Sequence, residues 1–263
     1  MKKTVNKENI DRFNGFSGLY NDSRPTPPEI ITQSTLLYAN KNPQTIVDVG
    51  CGTGLSTLIW KDVADSIIGV EPNDDMRSEA EKSIKANNIS FMKGLSNEID
   101  LLDECADIVS VSQAFHWFDI DSTLEEIHRI LKPGGVLAIF DCDWPPAVNW
   151  IVEQAYHKVR NKADDICFSQ EKPAVRNDKN SYISRINSFG KFRFSKEMVC
   201  HGVEKCTPKR MIGIALSQGG IQDALKFDTS FQKDVDEFCV LVTSNCIGEF
   251  DIIFSYRLRL AVK

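Results

Sequence analysis

Thr45-Ile46-Val47-Asp48-Val49-Gly50-Cys51-Gly52-Thr53-Gly54 is the stretch that decides the fold. A short β-branched run ends in an acid, and three glycines then alternate with other residues. Apolar β-branched runs bounded by turn residues favour strands. Glycine at every second position gives the chain dihedrals and close approaches that other residues resist. The reading is a buried strand turning sharply into a helix around a bound group. About twenty residues on, Ile67-Ile68-Gly69-Val70-Glu71 repeats the pattern of a strand tipped by an acid. A glycine turn after one strand and a carboxylate after the next suit a nucleoside, because a carboxylate accepts both hydroxyls of a ribose.

Outward from this pair, strand and helix alternate. Strands are expected over residues 45–49, 67–71, 90–92, 106–111 and 136–140. Helices are expected over 55–61, 74–86 and 122–131. Met76, Ala80 and Ile84 share one face of the second helix. Leu124, Ile127, Ile130 and Leu131 stripe the third, with Ser122 and Glu125 spaced as a capping box and Pro133-Gly134-Gly135 as its stop. Such alternation predicts a parallel sheet covered on both faces, with right-handed crossovers. Ligands of these sheets sit at the carboxyl ends of the strands, where Asp48, Glu71, Gly94, Gln113 and Asp141 fall.

Before this core, residues 17–28 are rich in turn formers. A helix over 29–40 follows, with Ile30, Ile31, Leu36 and Leu37 on its buried side and Pro28 at its first turn. After Asp141 the alternation stops. Helices are expected over 150–160, 207–216 and 229–245, a loop or lid over 163–179, and strands over 192–203 and 250–262. Ile252, Phe254, Tyr256, Leu258 and Leu260 share one face of the last strand.

Composition bounds the chemistry. The chain has 263 residues, 42% hydrophobic, with a net charge of −6. Extended nucleic-acid binding leaves a basic footprint, and the overall charge supplies none. No stretch reaches the length of a membrane span and no apolar leader follows Met1, so a cytoplasmic protein is the expectation. The eight cysteines form no CxxC pair and no Cys/His metal spacing, so reduced thiols and no metal are expected.

These motifs resemble those of the class I methyltransferases that use S-adenosylmethionine. Residues 48–54 are similar to the first signature of that family. Val70-Glu71-Pro72-Asn73 with Met76 resembles the second, Asp107-Ile108-Val109 with Gln113 to Asp119 the fourth-strand signature, and Leu131 to Gly135 the turn before strand five. His116-Trp117-Phe118-Asp119, Tyr20 and Arg24-Pro25 are similar to a branch of small-molecule enzymes that includes trans-aconitate methyltransferase-like proteins. The resemblance is strong over 16–141 and thin beyond.

It implies an α/β, doubly wound, mostly parallel seven-stranded sheet with an N-terminal helical cap and a C-terminal α+β elaboration. The implied divisions are 1–40 for the cap, 41–141 for the cofactor core and 142–263 for the substrate side of the same domain. The cofactor would be S-adenosylmethionine, bound by Tyr20, Asp48, Gly50, Cys51, Gly52, Gly54, Glu71, Pro72, Met76, Leu95, Ser96 and Gln113. Leu95 stands where many relatives carry an acid for the adenine amine, so backbone groups of Leu95 and Ser96 are the expected adenine contacts. Arg24, Phe115, His116, Trp117 and Trp144 are the candidates toward a small-molecule acceptor. His116 reads either as a general base or as a structural histidine. Phe115 and Trp117 read either as a substrate wall or as packing. Leu55 occupies the position where a nicotinamide fingerprint needs its last glycine, which disfavours an oxidoreductase. A non-catalytic cofactor-binding protein and a methyltransferase of RNA or protein are the other readings.

Overall fold

The computed structural model describes Ile10 and residues 17–39, 42–170 and 176–263. Its centre is a seven-stranded sheet in the order β3-β2-β1-β4-β5-β7-β6. The strands are β1 (Thr45–Val49), β2 (Ser66–Val70), β3 (Ile89–Met92), β4 (Ala106–Ser112), β5 (Leu131–Cys142), β6 (Phe194–Cys206) and β7 (Phe250–Val262). The first five are mutually parallel, and β7 runs antiparallel between β5 and β6. Strand order reverses between β1 and β4, which opens a crevice at the carboxyl ends of those strands.

The helices are α1 (Ser17–Ser23), α2 (Ile30–Leu36), α3 (Leu55–Leu58), α4 (Asp74–Ser83), α5 (Ile120–Ile130), α6 (Trp150–Phe168), α7 (Tyr182–Phe189), α8 (Pro208–Leu216), α9 (Gly219–Phe227) and α10 (Gln232–Asn245). Successive strand residues feed opposite sides of the sheet. Ile46, Ile108 and Phe140 join one core with Tyr156 of α6, Met211 of α8 and Phe238 of α10. Val47, Val109 and Ile139 join the other with Leu124 and Ile127 of α5 and Ile186 of α7. Both faces of β1 and β4 are therefore buried, which is why Ile46-Val47 and Ile108-Val109 are consecutive apolar pairs that feed opposite faces.

Several boundaries differ from the sequence reading. Residues 17–23 are helical, although rich in turn formers. In α2 the buried side is Ile31, Thr32, Ser34 and Thr35, while Ile30 and Leu37 are exposed; Asn40 lies outside the described residues. Helix α4 ends at Ser83, so Ile84 caps it. Helix α5 begins at Ile120, so Ser122 is inside it and forms no capping box. Strand β5 starts before Pro133-Gly134-Gly135, because Gly134 N–H donates to Lys263 and Lys263 N–H to Gly135 at 2.9 and 3.0 Å. The expected 163–179 loop is helical as far as Phe168, and residues 171–175 lie outside the description. Helices α7 and α9 had no counterpart in the sequence reading.

Candidate cofactor and acceptor site

A cavity of about 490 Å³ opens at the switch point. Its wall begins at the turn after β1. Gly50, Gly52 and Gly54 all have positive φ, at 72°, 56° and 85°. Gly50 and Cys51 N–H donate to the Val70 carbonyl at 2.8 and 3.2 Å, tying the turn to the tip of β2. A Cβ at Gly50 would stand 2.7 Å from Ala114 Cβ and 2.8 Å from Phe118 Cζ, so only glycine fits there.

Glu71 lies at the tip of β2 and is buried. One carboxylate oxygen accepts from Gly52 N–H and the other from Asn73 N–H, each at 2.9 Å. Burial pushes its pKa up; the two backbone donors and Arg77 oppose that rise. Asn73 caps α4 by accepting from Met76 N–H at 2.9 Å, which sets Met76 beneath the turn. Cys51 also lines the cavity, and burial with the neighbouring Glu71 and Asp48 charges holds its thiol neutral.

Of the residues expected at the cofactor, Tyr20, Gly50, Cys51, Gly52, Glu71, Pro72, Met76, Leu95, Ser96 and Gln113 all line this one cavity. Asp48 and Gly54 do not. Asp48 is fully buried and accepts from Ser56 and Thr57 hydroxyls at 2.7 Å and from Ser110 at 2.8 Å. Burial raises its pKa against those three bonds. It therefore fastens the turn to α3 and β4 from behind. Gly54 faces Ile84 and Phe91 instead of the cavity.

Of the residues expected toward an acceptor, Arg24, Trp117 and Trp144 line the cavity, whereas Phe115 and His116 do not. The short 3₁₀ turn Phe115–Trp117 explains the split. It sends Phe115 into the core, edge-on to Tyr182 with centroids 4.9 Å apart. It turns His116 toward Asp141, with Nδ1 4.0 Å from the carboxylate. Trp117 remains on the wall, with the Arg176 guanidinium 4.9 Å from its ring centre. Phe118 lines the cavity, and Phe115 follows the packing alternative. Asp119, Asn177 and Tyr256 also line the cavity and were not singled out in the sequence. Tyr256 had one signal, its place on the alternating face of β7.

Gln113 takes a positive φ of 53°, and its side chain accepts from Lys179 Nζ at 3.2 Å. Lys179 also pairs with Asp141 at 3.0 Å. Asp141 pairs in turn with the fully buried Arg259 at 2.9 Å, and Arg259 reaches Glu197 at 2.7 Å. This chain of charges links Gln113 to β5, β7 and β6. Among the described residues no three His, Cys, Asp or Glu side chains are grouped to hold a metal ion. No described helix is long and apolar enough to cross a membrane. All eight cysteines are free.

Residues 47–139 match the family model for a methyltransferase domain. These residues thus carry a methyltransferase domain. It is 28% identical over 130 residues to a Dictyostelium discoideum protein named as a methyltransferase, a match covering 49% of this chain and 48% of that protein. It is 26% identical over 153 residues to a Saccharomyces cerevisiae protein named as an S-adenosylmethionine-dependent methyltransferase, covering 54% and 53%. The matched segments thus span about half the length of these relatives. Among solved structures, a type II methyltransferase from Anaeromyxobacter dehalogenans superposes with a TM-score of 0.68 at 15% identity, over 91% of this chain and 97% of that one. At that identity the likeness establishes the shared Rossmann-like fold. This domain type implies S-adenosylmethionine as methyl donor, and with it a methyl acceptor.

Proposed function

We propose that the chain is an S-adenosylmethionine-dependent methyltransferase acting on a small molecule. The observation that carries this reading is the buried Glu71 carboxylate, oriented by Gly52 and Asn73 N–H groups on a cavity at the sheet's switch point. The residues fit the cofactor. Glu71 is placed for the two ribose hydroxyls, the Gly50–Gly52 backbone for the methionine part, and Leu95 with Ser96 for the adenine. Pro72 and Met76 supply apolar surface beside the nucleoside, and Tyr20 closes the methionine end. Asp48 and Gly54 act on the cofactor through the turn they hold.

When bound, S-adenosylmethionine supplies an activated methyl group on a sulfonium. The chain's part is to align an acceptor and keep water out. Trp117, Phe118 and Trp144 form aromatic walls suited to both tasks, and their faces favour a positive centre. His116 faces Asp141 behind the wall, and we assign it no base role. Tyr20, Arg24 and Pro27 add walls to the cavity from the N-terminal segment, which favours a small acceptor over a polymer. In this proposal 41–141 is the cofactor core of one domain, and Arg24 of the N-terminal segment and Trp144 of the segment 142–263 stand on its acceptor side.

The test has two stages. Calorimetric titration with S-adenosylhomocysteine should show binding, and its absence at millimolar ligand would end the proposal. Labelled S-adenosylmethionine is then incubated with separate metabolite, RNA and protein fractions of a cell extract. Label confined to the metabolite fraction is expected, and label in RNA or protein refutes a small acceptor.

A further inference from the structure

We infer that Arg24 receives a carboxylate of the methyl acceptor, making that acceptor an anionic molecule with an apolar body. The inference rests on the methyltransferase reading and names the substrate class of that site.

Arg24 follows α1 and lines the cavity. Its guanidinium lies over the Tyr20 ring, 4.5 Å from the centroid, and over the Trp144 ring at 4.9 Å. One terminal nitrogen donates to the Ser217 carbonyl at 3.0 Å. These contacts fix the plane and position of the group. They leave Nε buried with no hydrogen-bond partner among the described residues. No described carboxylate pairs with Arg24 either. A buried, oriented donor on a cationic group is costly to leave unmade, and a planar carboxylate is the ligand that a guanidinium fork takes best.

The acids on the same cavity wall are Glu71, Asp119 and Asp121. Glu71 is taken by two backbone donors, and Asp121 pairs with Arg185 at 2.6 Å. Asp119 lies at the start of α5, the helix that follows β4. None of the three makes an ion pair with Arg24. The cavity therefore has a carboxylate at its nucleoside end and, over Trp144, a cation with no ion-pair partner among the described residues.

Position separates Arg24 from the nucleoside end of the cofactor. Glu71 follows β2 and Trp144 follows β5, with β1 and β4 between them. Three strand spacings amount to roughly 14 Å. The nucleoside site is thus at one side of the crevice and Arg24 at the other, where Trp144, Pro25, Pro27 and Tyr256 give apolar walls. An acceptor seated there presents a carboxylate to Arg24 and an apolar body to those rings. The cation also raises the local concentration of anions in a chain whose net charge is −6.

The experiment uses the full chain saturated with S-adenosylhomocysteine and titrated calorimetrically with phenylacetate and with its neutral isostere phenylacetamide. Phenylacetate should bind at least about tenfold more tightly than the amide, as expected for a charge-assisted bidentate contact. Arg24→Met should erase that preference while leaving S-adenosylhomocysteine affinity and the melting temperature near those of the parent. Arg24→Lys should keep part of the preference, since it keeps the charge and loses the fork. Equal affinity for the two probes, or binding of neither, overturns the inference. So does an Arg24→Met chain that loses S-adenosylhomocysteine affinity but binds methylthioadenosine normally, because Arg24 would then serve the cofactor's own carboxylate. Failure of the parent chain to bind S-adenosylhomocysteine is a separate result, and it removes the methyltransferase reading itself.

Discussion

Replacing Glu71 by Gln tests the cofactor site with little change of shape. In the parent, each carboxylate oxygen accepts one backbone N–H at 2.9 Å, from Gly52 and from Asn73. An amide has one oxygen, so one of these two donors must face an –NH₂ group. A buried donor left unmade costs about 1–3 kcal/mol. Burial already disfavours the ionised carboxyl, as its raised pKa shows, and the neutral amide escapes that cost. The two effects oppose each other, and the fold should lose no more than about 2 kcal/mol. Cofactor binding has no such offset. Two charge-assisted bonds to the ribose become at most one neutral acceptor bond, a loss of about 2–4 kcal/mol. That corresponds to S-adenosylhomocysteine affinity falling by about 30- to 1,000-fold. Calorimetric titration measures the affinity and thermal denaturation the fold. Affinity within about threefold of the parent, with an unchanged melting temperature, would refute the assignment of Glu71 to the ribose.

Gly50→Ala should destabilise the fold by about 2–5 kcal/mol, summing a left-handed backbone and a clash with Ala114 and Phe118; a denaturation shift under about 1 kcal/mol would contradict this. Arg259→Met strips the buried Asp141 and the exposed Glu197 of their shared partner and should cost about 3 kcal/mol in urea unfolding, the lower end for a broken buried pair because Lys179 still reaches Asp141. A second change, Asp141→Asn, should recover part of that loss, and simple additivity of the two would dismiss the pairing. Cofactor affinity should fall in acid. The Glu71 pKa is raised above 4.5, so ionising it costs the fold as pH rises. Ribose binding needs the ionised form, so affinity is lost as pH falls through that raised value, earlier than for an ordinary carboxylate. Titrations across pH should show this in the parent and a flat profile in Glu71→Gln.

The parts of the fold that were legible are those with local causes. Thr45–Val49 and Ser66–Val70 are strands because β-branched runs are buried on both faces. Strand β7 was legible from its alternation, and Ile252, Phe254, Tyr256, Leu258 and Leu260 are all buried. What escaped was set by distant partners. Helix α1 forms in turn-rich sequence where it packs on α8. There Gly213 admits Ser23, whose hydroxyl would lie 2.4 Å from any Cβ on that glycine. Helix α9 opens with Gly219-Gly220, a turn signal by itself, yet Ile221 and Ala224 are buried against the core that holds α6. The Pro133-Gly134-Gly135 stop remains in β5 because Lys263 closes it. His116 and Phe115 stayed open between two readings for a related reason. Adjacent residues on a 3₁₀ turn point in different directions, and sequence order does not say which of them meets the cavity.

The same contrast separates the two halves of the site. The nucleoside half is built from one continuous stretch, residues 50–96, whose turn, carboxylate and cap bond to one another directly. The proposed acceptor half is assembled from Arg24, Trp117, Trp144 and Tyr256, which come from four separate places in the chain. A change in one of those elements can reshape the acceptor pocket without touching the glycine turn. A change in the turn disturbs both, because Ala114 and Phe118 rest on Gly50. The chemistry common to the domain is therefore held locally, and the choice of acceptor is held by tertiary contacts. That division explains why residues 45–71 announce a cofactor while no comparable stretch announces the acceptor, and why the proposal of an anionic acceptor starts from the surroundings of Arg24.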